Sequence, residues 1–311
     1  MKIITTNEPV AGISKSVLSI GNFDGIHNGH QFLIRTLCER ARLHNAAVML
    51  ITFEPHTRAF LHPGQKLQIL TTFEEKALIL RSYPVDFLVR LPFDRRLAEM
   101  DPQDFIQNIL IDRYNCVEWV MGENHLFGKN KKGNYNFLHN SCVKNHFNVF
   151  KVGLHAEEAG IASSTKIRSL IGENRMQEAV SMLGHPYLIN ARRIRGIRKG
   201  CELGYPTLNF QCPSSDKVIP PPGVYAAEVE YNEITLQGAL YYGNCPTFES
   251  RDFHFEFHSL DPVVYDPGIN TVVALWIKSY MRPDMTFPSE SQLVDQIKKD
   301  IHTIKRFFKK E

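Results

Sequence analysis

No stretch of this sequence approaches the 18 consecutive apolar residues that a membrane-spanning helix needs, which excludes an integral helical membrane protein. The first residues, Met1 to Pro9, turn polar where a secretory leader would need its apolar run, so a cytoplasmic chain is expected. Cysteines in C-x-x-C spacing are lacking. The six that exist (Cys38, Cys116, Cys142, Cys201, Cys212 and Cys245) are scattered, which fits reduced thiols better than a disulfide framework or a zinc site. An excess of one charge is lacking too: 36 Lys+Arg against 33 Asp+Glu leave a net charge of +3, no protein-wide field for a polyanion. A dedicated nucleic-acid binder is therefore not expected. Internal repeats, low-complexity tracts, a Walker lysine and a G-x-G-x-x-G turn are also missing, which argues against a P-loop kinase and a dinucleotide oxidoreductase.

What is there is an ordinary globular composition, 43% hydrophobic and 22% charged over 311 residues, about twice the length of one typical domain. From Ser16 to Gly153, short aliphatic runs (Ser16 to Phe23, Ala46 to Phe53, Asp86 to Leu91, Cys116 to Met121, Phe147 to Val152) alternate with helical patterns, predicting an α/β unit with a parallel sheet. Asp101 before Pro102 reads as a helix cap, and Thr72 with Glu75 as a capping box. Two helical segments follow, Thr165 to Ile171 and Met176 to Leu183, before Gly184-His185-Pro186 breaks the pattern. The domains are accordingly expected to be 1–184 and 185–311. In the second, strand-like runs (Tyr187 to Ile194, Gly223 to Tyr231, Thr235 to Tyr242, Phe253 to His258, Thr271 to Ile277) separated by Pro and Gly predict a small antiparallel barrel. Ser289 to Phe308 repeats Leu293, Ile297, Ile301 and Ile304 at helical spacing, a closing amphipathic helix on that barrel.

The segment Gly21-Asn22-Phe23-Asp24-Gly25-Ile26-His27-Asn28-Gly29-His30 leaves the first strand and enters a helix near Gly29. A helix N-terminus offers free N–H groups and partial positive charge to a phosphate, and glycines let the backbone come close. His27 and His30, three apart, can point into one pocket and donate hydrogen bonds to charge developing at phosphorus. Ser163-Ser164-Thr165-Lys166-Ile167-Arg168 puts cap residues and a planar guanidinium fork at another helix start.

The first decapeptide resembles the H-x-G-H signature of nucleotidyltransferases, in the form G-x-F-D-G-x-H-x-G-H of the bacterial bifunctional riboflavin kinase/FMN adenylyltransferase family. Further segments resemble that family in order: Phe53-Glu54-Pro55-His56, with Thr57 in place of a final proline; Leu70 to Lys76; Leu91-Pro92-Phe93 with Leu97 to Phe105; Gly122 to Lys129; and Ser163 to Arg168. In the second half, Gly200-Cys201-Glu202-Leu203-Gly204-Tyr205-Pro206-Thr207-Leu208-Asn209 resembles the kinase motif G-x-x-x-G-x-P-T-x-N, and Gly223 to Tyr225, Pro246 to Phe248, Phe255 to His258 and Met281 to Phe287 continue the likeness.

The resemblance implies a Rossmann-like nucleotidyltransferase domain followed by a riboflavin-kinase-like barrel, with riboflavin, FMN and ATP as substrates and Mg²⁺ as cofactor. It implies transition-state roles for His27 and His30, and ATP contacts for Gly21, Phe23, Asp24, Gly25, Gly29, Ser164, Thr165 and Arg168. Asp24 either joins this site or only shapes the turn. Asn124 and Arg282 would meet the flavin, Gly200 and Gly204 would let a loop close over nucleotide, Thr207 and Asn209 would hold Mg²⁺, and Glu256 would be the kinase base. The run Lys129 to Gly133 is either a steering patch or a solvated loop. Departures from the family concentrate in the kinase half: Tyr241 and Cys245 replace an asparagine and an arginine, and Pro262 to Gly268 replaces an acidic run. Besides the two-activity enzyme, the competing readings are an adenylyltransferase with the barrel as a flavin-binding or interaction module, and a nucleic-acid-binding barrel; for the last, no stripe of aromatics interleaved with Lys and Arg is found. The sequence leaves the oligomeric state open.

Overall fold

The computed structural model describes residues 1–5, 12–65, 67–123, 125–145, 147–153, 162–196, 199–243, 254–261 and 265–309. Two compact units emerge: Met1–Gln68 with Lys76–Ser163, and Ile69–Glu75 with Ser164–Glu311.

In the first unit, strands β1 (Lys2–Ile4), β2 (Ser16–Ile20), β3 (Ala47–Glu54), β4 (Phe87–Pro92), β5 (Cys116–Gly122) and β6 (Asn148–Val152) form one parallel sheet in the order β1-β4-β3-β2-β5-β6. All five residues of β2 are buried, as a strand covered on both faces requires. The chain also forms helices α1 (Asn28–His44), α2 (Thr57–Leu61), α3 (Phe73–Leu80), α4 (Arg95–Ala98), α5 (Pro102–Asp104) and α6 (Tyr135–Asn145). Helix α1 buries Ile34, Leu37, Cys38 and Ala41 on one stripe and stops at Asn45 in the left-handed region. The predicted caps are present: Asp101 accepts from the Gln103 N–H at 2.9 Å, and Thr72 and Glu75 bond reciprocally at 2.8 and 3.3 Å. Strand β1, three residues long, was too short for a periodicity to announce it. The sheet order reverses about β2, with β3 and β4 on one side and β5 on the other. In such sheets the crevice beyond the carboxyl ends at the reversal is where ligands settle.

The second unit closes a barrel from β7 (Tyr187–Ile194), β8 (Leu208–Gln211), β9 (Gly223–Tyr231), β10 (Ile234–Gly243), β11 (His254–Ser259) and β12 (Val272–Pro283), in the order β10-β11-β8-β7-β12-β9 with every pairing antiparallel. Helices α7 (Ser164–Gly172), α8 (Met176–Leu183), α9 (Lys199–Glu202) and α10 (Glu290–Phe308) complete it. The packing groups α7 and α8 with the barrel: α8 buries Met176, Ala179, Met182 and Leu183, and the Gln177 amide donates to the Ser279 hydroxyl at 2.6 Å. Gly184, where the sequence pattern breaks, is the left-handed C-cap of α8. Strand β12 runs six residues beyond the predicted Ile277, because register shifts between Ile277 and Ser279 and between Tyr280 and Arg282 interrupt the alternation that sequence reading follows. Helix α10 is capped by Ser289, which accepts from the Gln292 N–H at 3.3 Å, and it buries Ile304 against Val224 and Ala226 of β9.

Lys217 is fully buried in this unit. Its ammonium donates to the Leu188 carbonyl at 2.6 Å, to Glu75 Oε2 at 2.7 Å and to the Leu70 carbonyl, and it stands 4.4 Å over the Tyr187 ring. Glu75 Oε1 accepts from the Asn190 N–H at 2.7 Å. Lys217→Met would leave a buried carboxylate without its counter-charge. A loss of about 3–5 kcal/mol is expected from urea unfolding followed by circular dichroism, and Glu75→Gln added to it should recover most of that loss.

Candidate functional sites

The first site is built where β2 ends and α1 begins. Between them the chain makes a turn with Phe23 at φ 45°, Gly25 at φ 86° and Ile26 at φ 42°. Only glycine takes such angles without strain; for a β-branched residue like Ile26 they are rare, and such backbone clusters at working sites. The turn delivers His27 as the N-cap residue of α1, and the His27 side chain makes no capping hydrogen bond. His27 and His30 stack with ring centroids 3.8 Å apart and 19° between planes, and Phe23 meets His30 edge-on at 5.4 Å. Gly29 matters for contact: a Cβ there would stand 3.3 Å from the His27 ring.

Burial, then the neighbouring charges of His27 and Lys76, hold His30 well below the ordinary imidazole value of 6.5. Its Nδ1 is buried with no hydrogen-bond partner among the described residues, an orphan of the kind a ligand completes. Lys76, itself buried, reaches the Thr52 hydroxyl at 3.4 Å. Two imidazoles, a buried ammonium and a helix N-terminus thus make a place that favours anions. Asp24 is buried in the same turn. The replacement of proline by Thr57 also has a use: its N–H donates to Asn22 Oδ1 at 3.3 Å, a bond proline cannot make, and its hydroxyl accepts from Asn22 Nδ2 at 2.9 Å. Nothing in the sequence marks Lys76 for this role, since a lysine in a helix ordinarily faces water.

Ser164, Thr165 and Arg168 lie in the first turns of α7, which groups with the second unit, whereas the histidines belong to the first. Asn124 lies outside the described residues. Its neighbour His125 is held to about 4 by burial and meets Trp119 edge-on at 5.6 Å. Lys129 to Lys132 are exposed, which a steering patch and a solvated loop both require.

In the second unit a cavity of about 460 Å³ lies between the outer face of the barrel and α10, within the size range of small-molecule sites. Val224, Ala239 and Tyr241 line its barrel side, and Leu293, Ile297 and Ile301 its helix side. The apolar stripe of α10 therefore divides: Ile304 packs on the barrel, while the other three roof a hollow. At the polar end, the register of β8 against β11 sets Asn209 opposite Glu256. The Thr207 hydroxyl donates to Glu256 Oε2 at 3.4 Å, and the Asn209 amide lies 3.5 Å from Thr207 Oγ1. Alternation in β11 turns Phe255 and Phe257 into the core, leaving Glu256 on the cavity wall as expected of the opposite face.

Around these residues the loop closes tightly. The Tyr205 N–H donates to the Gly200 carbonyl at 2.7 Å, a Cβ on Gly200 would stand 2.4 Å from the Tyr205 carbonyl oxygen, and Gly204 has φ 83°. Arg282 lines the cavity, but its guanidinium is already engaged: Nε and Nη2 donate to the Asp300 carboxylate at 3.0 and 2.7 Å, tying β12 to α10. Tyr241 donates to Asp284 Oδ1 at 3.1 Å. Cys245 and residues 262–264 lie outside the described residues.

Comparison with known proteins gives one answer for each half. The FAD synthetase family profile matches residues 11–166, and the riboflavin kinase profile residues 183–308. The bifunctional riboflavin kinase/FMN adenylyltransferase of Buchnera aphidicola subsp. Schizaphis graminum is 32% identical over 303 residues, 95% of both chains. That of Escherichia coli is 32% identical over 293 residues, covering 94% of this chain and 92% of that one. A crystal structure described as a macrolide-efflux protein from Streptococcus pneumoniae superposes with a TM-score of 0.83 at 29% identity, over 97% of this chain and 98% of that one. Among the described residues, no helix is long and apolar enough to cross a membrane.

The depressed His30 value can be tested directly. Because the folded state binds fewer protons than the unfolded chain, whose imidazole titrates at about 6.5, this group's contribution to stability is present at higher pH and is lost as pH falls from there through the folded value. The His30 ring resonance, assigned with a His30→Gln variant, should hold its neutral-imidazole shift from pH 7.5 down to about 6; a midpoint near 6.5 would contradict the buried site.

Proposed function

The chain belongs to the bifunctional riboflavin kinase/FMN adenylyltransferase family, and on that premise we propose that its barrel phosphorylates riboflavin with ATP while its parallel-sheet half converts FMN and ATP to FAD and pyrophosphate. We divide the two activities at Gly184. The observation that carries the reading is the presence of two separately built sites, one in each unit: stacked histidines at a helix start, and Thr207, Asn209 and Glu256 at the polar end of an apolar cavity.

In the first reaction an FMN phosphate oxygen attacks the α-phosphorus of ATP and pyrophosphate leaves, so no enzyme nucleophile is needed. His27 and His30 donate hydrogen bonds to the charge that gathers at phosphorus, and the ammonium of Lys76 adds to the field they work in. Gly21, Phe23, Gly25 and Gly29 shape the turn, with Asp24 buried in it. The roles of Thr165 and Arg168 at ATP and of Asn124 at the flavin rest on the sequence motifs.

In the second reaction the cavity takes the flat ring of riboflavin between barrel and α10, and Glu256 accepts the proton of the ribityl hydroxyl as it attacks the γ-phosphorus and ADP leaves. Thr207 and Asn209, which stand together beside Glu256, carry a hydroxyl and an amide oxygen, a hard donor set that fits Mg²⁺ shared with a nucleotide. Bound there, the metal would offset phosphate charge. Gly200 and Gly204 let the neighbouring loop approach. Arg282 acts by holding α10 over the cavity. We place this work in the cytoplasm, because ATP serves both reactions and the described cysteines Cys38, Cys116, Cys142, Cys201 and Cys212 are free thiols.

Chromatography of flavins after incubation with riboflavin, ATP and Mg²⁺ should show FMN and then FAD. Glu256→Gln should lower FMN formation by roughly 10²- to 10⁴-fold and leave FAD formation from supplied FMN near wild type. His30→Ala should do the reverse, lowering FAD formation by about 10²-fold or more. Equal loss of both activities in either variant would overturn the two-site assignment.

A further inference from the structure

Strand β11 turns three polar side chains toward the cavity, His254, Glu256 and His258, at successive alternate positions. His258 is used by the chain itself: its Nδ1 donates to the Pro206 carbonyl at 2.9 Å, and Tyr205 meets its ring edge-on at 5.6 Å. His254 makes a different contact. Its Nε2 lies 3.1 Å from Glu256 Oε1, while Glu256 Oε2 accepts from the Thr207 hydroxyl at 3.4 Å. A carboxylate can only accept, so Nε2 is the atom that carries the proton.

We propose that His254 is a positioning residue for phosphoryl transfer, holding the Glu256 carboxylate in the one orientation from which it takes the proton of the substrate hydroxyl. The inference rests on the kinase reading of the barrel site. A glutamate on a cavity wall has three rotatable bonds, and a base is effective only when its oxygen is already in place. Thr207 fixes one oxygen, but its hydroxyl is also a proposed phosphate-side donor and cannot be committed to Glu256 throughout the reaction. His254 fixes the other from the same strand, two residues away, where backbone pairing of β11 with β10 at Gly243 and Tyr241 keeps the spacing constant. In the step itself the hydroxyl oxygen forms its bond to the γ-phosphorus, the bond from that phosphorus to the bridging oxygen breaks with its electron pair leaving on ADP, and the proton passes to Glu256. His254 touches none of the reacting atoms; it sets where the acceptor oxygen stands. No family motif quoted above contains it, because a histidine two residues before the base gives no signal until the strand's facing is known.

The test is steady-state kinetics on the full chain. His254→Ala should lower kcat for riboflavin phosphorylation by about 10- to 100-fold, with KM for riboflavin and for ATP within about two-fold of wild type. FAD formation from FMN should be unchanged, which reports that the first unit is folded, while the retained KM values and the wild-type circular dichroism report the barrel. His254→Gln keeps an N–H donor on a side chain of similar reach and should regain most of kcat. In a Glu256→Gln background, His254→Ala should cost nothing more, since its effect passes through the carboxylate. A wild-type kcat in His254→Ala, a loss seen mainly in KM, no rescue by glutamine, or an additive loss in the Glu256→Gln background would each overturn the proposal. A wild-type chain that makes no FMN would instead overturn the kinase reading on which it rests.

Discussion

An ammonium group shut away from water must find all its partners inside the protein, and in the second unit that requirement governs three stretches of chain at once. Lys217 draws in the carbonyls of Leu70 and Leu188 and the carboxylate of Glu75, which in turn takes the Asn190 N–H and caps the start of α3 through Thr72. Because a buried ion pair is costly to break and no more stable than a good apolar contact, its worth lies in specificity. Residues far apart in sequence, from the 69–75 segment to β7, have one arrangement in which every charge and donor is met. The same segment is held by backbone bonds from the Ile69 N–H to the Asp216 carbonyl and from the Val218 N–H to the Ile69 carbonyl, and Ile69–Glu75 groups with the barrel while the next residue, Lys76, belongs to the first unit.

Each unit then makes its site by a different device. In the parallel-sheet half the device is backbone: three left-handed residues in the turn after β2 swing two histidines onto the start of α1, where the helix itself supplies positive potential. Burial keeps His30 neutral, so the attraction for anions rests on Lys76 and the helix end as well as on the imidazoles. In the barrel half the device is register. Pairing β8 with β11 brings Asn209 beside Glu256, and the period of two in β11 sends its aromatics inward and its polar residues out to the cavity under α10.

Much of the architecture was legible. Alternation of aliphatic runs with helical periodicity announced the parallel sheet within a residue or two for β3, β4, β5 and β6, and the bounds of α8 and α10 fell within a residue of Met176–Leu183 and Ser289–Phe308. The misses have physical causes. Strand β12 was cut short because bulges break alternation, and β1 is too brief to carry a period. At the sites, His27, His30, Thr207, Asn209 and Glu256 could be named from motifs, but Arg282 could not be seen to be spoken for by Asp300, a residue 18 positions away on another element.

The sequence by itself determined most of the strands in their order, the division into a parallel-sheet half and a barrel half, and which residue types stand at the two glycine-rich turns, since these follow from local periodicity, capping and turn chemistry; β1 and β8 carried no such pattern. Only the tertiary structure decided that Lys76 is buried near His30, that α10 leaves a hollow instead of closing on the barrel along its whole length, and that His254 meets Glu256. Those are matters of which faces and which distant strands come together, and they depend on through-space burial and register that no local pattern in the chain encodes.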